Sequence, residues 1–198
     1  MARVHLSHLS SSAGVALVRQ AKAEGLSVTC DVTINHVHLT DMDIGYFNSQ
    51  FRLDPPLRSQ RERDAIRVGL ADGTIDAICS DHIPLNDEKL LPFAEATPSA
   101  TGLELLLSLT VKWAREAGVP LAKALTRITT APAGVLKLNA GRIAVGESAD
   151  LCLDPTPEWF VEPAKLKSQG HNSPFLGYEL PARVLMTLVS GHIAYEVR

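Results

Sequence analysis

A short apolar run, Ile75-Asp-Ala-Ile-Cys-Ser80, stops abruptly at Asp81 and His82. A strand that ends in a carboxylate and an imidazole aims proton-carrying groups at one place. His8 closes an earlier extended stretch in the same way, and His36, with His38 two residues on, closes another. The 28 residues from His8 to His36 make about one strand-helix unit, and the 45 from His36 to Asp81 leave room for two. Three polar groups at the carboxyl ends of parallel strands share the face on which α/β barrels build active sites. Two neutral imidazoles and a carboxylate suit zinc or a similar borderline cation, and a carboxylate beside such a metal can take a proton from water. His38 shares strand parity with His36, so either can be the ligand. His5 points away from His8 and is assigned to packing, while His171 and His192 lie far down the chain. One histidine at a strand end is most often structural; the agreement of three strand ends is what points to a metal.

The elements that must position these groups follow from the patterning. Arg3 to Ser10 reads as a strand with nothing before it, as in a chain that begins in mid-fold. Ser11 or Ser12 can cap a helix whose Val15, Leu17, Val18 and Ala21 recur at helical spacing, and Gly25 closes it. Leu26 to Ile34 alternates, with Val28, Cys30, Val32 and Ile34 on one face and Thr29, Asp31 and Thr33 on the other. Thr40 to Gln60 is irregular, with Gln50 to Leu53 as a possible third strand before Pro55-Pro56. Arg61 to Leu70 is an amphipathic helix, Ile75 to Ser80 a fourth strand, and Ile83 to Ala100 a loop. Leu103 to Ala117, Leu121 to Ile128 and Ala131 to Leu138 read as helices. Beyond Gly141 the texture turns strand-rich, which predicts a small β module over 141–198 after an α/β unit over 1–140.

Composition bounds the function classes. Hydrophobic side chains make up 45% of the 198 residues, enough for a real core. A net charge of −3 supplies no basic patch for nucleic acid, and no apolar run reaches the roughly 18 residues of a membrane span. The N-terminus lacks the order of a signal peptide, so the expected location is the cytoplasm. Cys30, Cys79 and Cys152 are odd in number, far apart and set in apolar segments, so they read as buried thiols of a reducing compartment.

Several motifs carry a family resemblance. Val4-His-Leu-Ser-His-Leu-Ser10, Val28-Thr-Cys-Asp-Val-Thr33 with its following histidine turn, Asp54-Pro-Pro-Leu-Arg-Ser59, Asp72-Gly-Thr-Ile-Asp-Ala-Ile-Cys-Ser-Asp-His-Ile-Pro84 and Gly102-Leu-Glu104 together resemble the dihydroorotases. These belong to the cyclic-amide branch of the amidohydrolase superfamily. Gly141 to Leu151, Asn172-Ser-Pro-Phe175 and Val189-Ser-Gly191 look like that family's small β-sandwich. The resemblance implies an α/β fold: the C-terminal half of a TIM-type (β/α)8 amidohydrolase barrel, family strands five to eight, followed by a β-sandwich portion.

By the same resemblance His8 and His36 are metal ligands, Asp81 is a ligand and the proton shuttle, and zinc is the expected cofactor. Asp54, Arg58, Thr101 and Gly102 fall at substrate-binding positions. The family's first-strand His-x-His pair and fourth-strand bridging residue have no counterpart here, so the site is partial. Asp54 stands where the family usually has Asn, Leu85 where it has a second His, and Asn35 where it has His or Gln. An aspartate at 54 would repel the carboxylate of dihydroorotate unless protonated or paired. The implied activity is interconversion of carbamoyl aspartate and dihydroorotate in pyrimidine synthesis, from a fragment expected to be inactive alone. Two alternatives stay open: a non-catalytic homologue acting as a structural partner of aspartate carbamoyltransferase, or an allantoinase- or hydantoinase-type hydrolase. A homo-oligomer is a further expectation.

Overall fold

The computed structural model describes residues 2–85, 90–153 and 158–197. Strand β1 (Val4–Leu6), helix α1 (Ser12–Ala23) and strand β2 (Val28–Thr33) form the expected parallel crossover. The Ser11 hydroxyl accepts from the Gly14 amide at 3.1 Å, which starts α1. Gly25, at φ 78°, turns the chain out of it. In register, Val4 faces Val28 and Leu6 faces Cys30.

After β2 come a short helix α2 (Ile34–His38), two 3-10 turns (Asp41–Ile44 and Ser49–Phe51), helix α3 (Gln60–Asp72) and strand β3 (Ala77–Cys79). Two expectations are corrected here. Gln50 to Leu53 is not a strand: the Asn48 side chain accepts from the Gln50 amide at 3.0 Å and coils the segment into a 3-10 turn. The interval from His36 to Asp81 therefore holds one long crossover, and β3 lies directly against β2 with Asp31 opposite Ala77. The sheet order is β1-β2-β3, extended by a parallel bridge between His82 and Ala100.

One face of this sheet is apolar. Cys30, Val32 and Ile78 are buried against Val15 and Val18 of α1 and Ile66 and Leu70 of α3. Gly69 allows the close approach, since a Cβ there would stand 3.0 Å from Val15 and 3.2 Å from Ile75. Helices α4 (Leu106–Ala117), α5 (Leu121–Thr126) and α6 (Thr130–Leu136) complete the α/β part, with Leu109 and Trp113 of α4 fully buried. At the other end of the sheet β1 is exposed along its length, with Val4 at 52% and Leu6 at 41%. Among the described residues it pairs with β2 alone.

The C-terminal part holds β4 (Leu151–Leu153), β5 (Trp159–Phe160), β6 (Glu179–Leu180), β7 (Met186–Val189) and β8 (His192–Glu196). These make an antiparallel sheet in the order β4-β7-β8 and a two-stranded ribbon β5-β6. Packing crosses the boundary expected at residue 140: Val161, Leu166, Phe175 and Leu180 join the same core as α4 and β2. Cys152, on β4, is exposed, against the expectation that all three thiols are buried, because this short sheet has solvent over much of its surface. Among the described residues no helix is long and apolar enough to cross a membrane.

Candidate active site

The second face of the sheet is polar. Period-two alternation sends Asp31 and Thr33 of β2 and Cys79 of β3 to the side opposite the helical core. Sequence reasoning missed Asp31, although its place on the polar side of β2 was the available signal. Its Oδ1 accepts the His8 amide at 2.8 Å and lies 3.6 Å from the Cys79 thiol, while its Oδ2 meets His5 Nε2 at 2.9 Å. His5 also reaches the Thr29 hydroxyl at 2.8 Å. It is therefore no packing residue but the partner that fixes Asp31.

His8 and Asp81 both sit just past the ends of their strands, at φ 58° and 47°. A left-handed backbone costs an ordinary residue on the order of 1 kcal/mol and persists where its surroundings enforce it, often at functional sites. For His8 the enforcing contact is the hydrogen bond its backbone amide donates to Asp31 Oδ1. The result brings His8 Nε2 to 4.0 Å from Asp81 Oδ1. Burial raises the Asp81 pKa above the ordinary carboxylate value; nearby His8 opposes this, while the charges of Asp31 and Asp54 add to it. Asp81 is thus a carboxylate biased toward holding a proton.

His36 is placed by α2. Thr33 caps this helix, and its hydroxyl stands 2.7 Å from His36 Nδ1. In the tautomer with Nδ1–H donating to that oxygen, Nε2 carries the free lone pair. Nε2 is buried with no hydrogen-bond partner, in a residue only 3% exposed. Burial lowers the His36 pKa against the pull of the Pro55 and Pro56 carbonyls, and nearby His8 lowers it further. A neutral imidazole with an unpartnered buried nitrogen is chemically able to bind a metal.

The helix sends His36 and His38 to different surroundings. Two residues on a helix project to nearly opposite sides, and His38 Nε2 turns to the Leu109 carbonyl of α4 at 2.9 Å, edge-on to Phe175. His38 holds α2 on α4.

His8, His36 and Asp81 do not close as a single tight trio. Among the described residues, the set whose ligand atoms all lie within 4.8 Å of one another is His8, Asp31 and Cys79. Cys79 therefore lies beside His8 and Asp31, which its reading as a buried thiol did not foresee. Burial, together with the charges of Asp31 and Asp81, pushes its pKa well above the ordinary thiol value.

Asp54 and Arg58 are exposed on the segment after the Ser49–Phe51 turn. The Asp54 charge reaches Asp81, and Arg58 Nε donates to Ser10 Oγ at 3.0 Å, two residues beyond His8. The amides of Thr101 and Gly102 have partners within the fold. The Thr101 amide donates to the Asn172 carbonyl at 2.8 Å, and the Gly102 amide points at His82 Nδ1, 3.3 Å away. Both donors are used within the fold.

Asn172 is the hub of this region and was read only as part of the β module. Its Oδ1 accepts from the Leu85 amide and lies 2.9 Å from the Thr101 hydroxyl; its Nδ2 donates to the Ile83 carbonyl and Ser99 Oγ. It ties Ile83 and Leu85 to Ser99 and Thr101. Leu85 takes part through its backbone.

The site is thus a group of His and Asp side chains gathered at the carboxyl end of a parallel sheet. The chain belongs to the amidohydrolase family, whose model matches residues 1–194. Among curated relatives it is 40% identical over 197 residues to a dihydroorotase of Citrifermentans bemidjiense, covering 98% of this chain and 46% of that protein. It is 42% identical over 195 residues to a "dihydroorotase-like protein" of Pseudomonas aeruginosa, again 98% of this chain and 46% of the relative. The fold resembles D-hydantoinase from Thermus sp., with a TM-score of 0.89 at 23% identity, over 98% of this chain and 45% of that one. The chain thus spans about half the length of the relatives it matches.

Proposed function

We propose that this chain carries the C-terminal part of a dihydroorotase-type cyclic amide hydrolase site, competent for turnover only when the rest of a barrel is supplied. The observation that carries the reading is the bare, buried Nε2 of His36 beside His8. His8, His36 and Asp81 are the residues that would hold zinc. When bound, zinc supplies polarisation of the ring amide carbonyl and acidification of a water.

The chain's own groups do the rest. Asp81, with its raised pKa and its place next to His8, accepts a proton from the attacking water and delivers it to the leaving ring nitrogen. His36, neutral through burial, stays available as a ligand at neutral pH. Arg58, on the exposed rim, is the cation that would pair with a substrate carboxylate. In this reading β4-β7-β8 is a portion of the family's β-sandwich and the protein works in the cytoplasm on carbamoyl aspartate and dihydroorotate. Association with a second copy is consistent with the exposed edge of β1.

A second reading has its own support. Asp54 places a negative charge on the rim near Asp81, where it opposes an anionic substrate, and a relative at 42% identity is named only dihydroorotase-like. A non-catalytic homologue that serves aspartate carbamoyltransferase as a structural partner fits both facts. The hydantoinase-type reading rests on fold likeness alone.

The test is dihydroorotate ring opening and closure, assayed for the chain alone and for the chain co-expressed with the N-terminal half of a dihydroorotase relative. The expected result is no turnover alone, turnover in the assembled pair, and its abolition by Asp81→Ala. Turnover by the chain alone would remove the need for a partner half. An assembled pair that stays inactive on dihydroorotate would favour the non-catalytic reading.

A further inference from the structure

The geometry points to a thiolate metal ligand in this site: Cys79, with Asp31 and His8, forms a soft-metal position on the inner face of the sheet, beside His36 rather than on it. The inference rests on reading this face as metal-binding, and it adds two ligands, Asp31 and Cys79, to that reading.

Each ligand comes from a different chain segment. His8 follows β1, Asp31 lies on β2 and Cys79 ends β3, so parallel pairing sets their spacing. Their ligand atoms lie within 4.8 Å of one another. The Cys79 sulfur and Asp31 Oδ1 are 3.6 Å apart. With zinc–sulfur and zinc–oxygen bonds of about 2.3 and 2.1 Å, that gap subtends roughly 110° at the metal, the tetrahedral angle. The two groups are already spaced for a shared ion without backbone movement.

Asp31 is also held as a ligand should be. His5 Nε2 binds its Oδ2 at 2.9 Å and the His8 amide its Oδ1 at 2.8 Å, an outer shell that fixes the carboxylate's direction. The Cys79 thiol has two acceptors in reach, Asp31 Oδ1 at 3.6 Å and the Val32 carbonyl at 3.5 Å. Binding a divalent cation M2+ exchanges the thiol proton: the S–H bond breaks, an S–M bond forms, and one proton leaves to solvent, with no change of oxidation state. His8 must draw in by roughly 1 Å to complete a set of bonds near 2.1 Å, a movement open to a side chain 36% exposed. Three protein ligands with an open fourth position is the arrangement of a catalytic or exchangeable site. The thiolate biases the position toward zinc, cobalt or cadmium over magnesium or manganese.

The test uses cobalt(II) on the full chain in a Cys152→Ser background, which removes the exposed thiol. A near-ultraviolet thiolate-to-cobalt absorption is expected, lost at least tenfold in Cys79→Ser, reduced in Asp31→Asn and retained in His36→Ala. As a measurement on the parent alone, zinc should slow alkylation of Cys79 by iodoacetamide at least tenfold, read by mass spectrometry. Absence of the band in the parent, its survival in Cys79→Ser, or unchanged alkylation would overturn the inference. Cobalt bound without the band, and lost in His36→Ala, would sink the thiolate site while leaving the His36 site standing. No cobalt binding at all would remove both.

Discussion

The Gly102→Ala substitution probes how the fold positions the site. A Cβ built on Gly102 falls 2.3 Å from the Ser80 carbonyl oxygen, a backbone atom that cannot rotate away. Ordinary carbon–oxygen contacts need about 3.3 Å, so the two segments must part by roughly 1 Å. Ser80 immediately precedes Asp81, and Gly102 follows Ala100, which bridges His82. The displacement is therefore delivered to the end of β3. Overpacking of this kind costs about 3 kcal/mol, which for a chain of this size lowers the melting temperature by about 6–12 °C. A misplacement near 1 Å at a ligand is also enough to cost on the order of a hundredfold in function. The assay is thermal unfolding together with zinc titration. Gly134→Ala is the control: it lies within α6 with no atom within 4 Å of its Cβ, and should gain about 0.5–1 kcal/mol from helix propensity. If Gly102→Ala melts within 2 °C of the parent and binds zinc equally well, the link from the 100–102 segment to Asp81 is wrong.

Two further outcomes are expected. Burial lowers the His38 pKa from 6.5 to about 4, against its bond to the Leu109 carbonyl. The native state then binds fewer protons than the unfolded chain, so this stabilising contribution is present above pH 6.5 and lost as pH falls toward 4. Urea unfolding at pH 7 and pH 5 should show the parent losing ~1–3 kcal/mol more than His38→Phe; equal losses would contradict the buried neutral ring. Asp81 carries the opposite sign. Its folded pKa lies above its unfolded value, so the native state holds the proton more tightly and stability falls as pH rises through that window. Asp81→Asn should therefore raise the melting temperature of the metal-free chain at pH 7, with the gain shrinking below the ordinary carboxylate range. A lowered melting temperature at pH 7 would show that Asp81 stabilises the fold instead.

Much of this architecture was legible because its signals are local. The Ser11 cap, the Gly25 and Gly118 exits and the alternation of β2 are short-range physics, and the helices over 12–23, 60–72 and 106–117 follow from them. The strand ends at His8 and Asp81 were legible for the same reason. What sequence periodicity could not carry was lateral order: a 45-residue interval is compatible with one crossover or two, and only pairing of Asp31 with Ala77 decides. His38 was ambiguous because a strand and a one-turn helix send alternate residues to different places. Asp31, Cys79 and Asn172 were missed because their roles depend on partners up to 89 residues away. The amides of Thr101 and Gly102 find their partners in Asn172 and His82, contacts between segments that no local pattern encodes.

Zinc titration by calorimetry bears most directly on the account, with a Cys79→Ser chain, which lacks the thiolate position, as the parent against the same chain carrying His36→Ala. The orphaned Nε2 predicts that zinc binds the parent and that removing this imidazole weakens binding at least tenfold. A parent that takes up no zinc, or a His36→Ala chain that binds it as tightly as the parent, would contradict the metal-site reading.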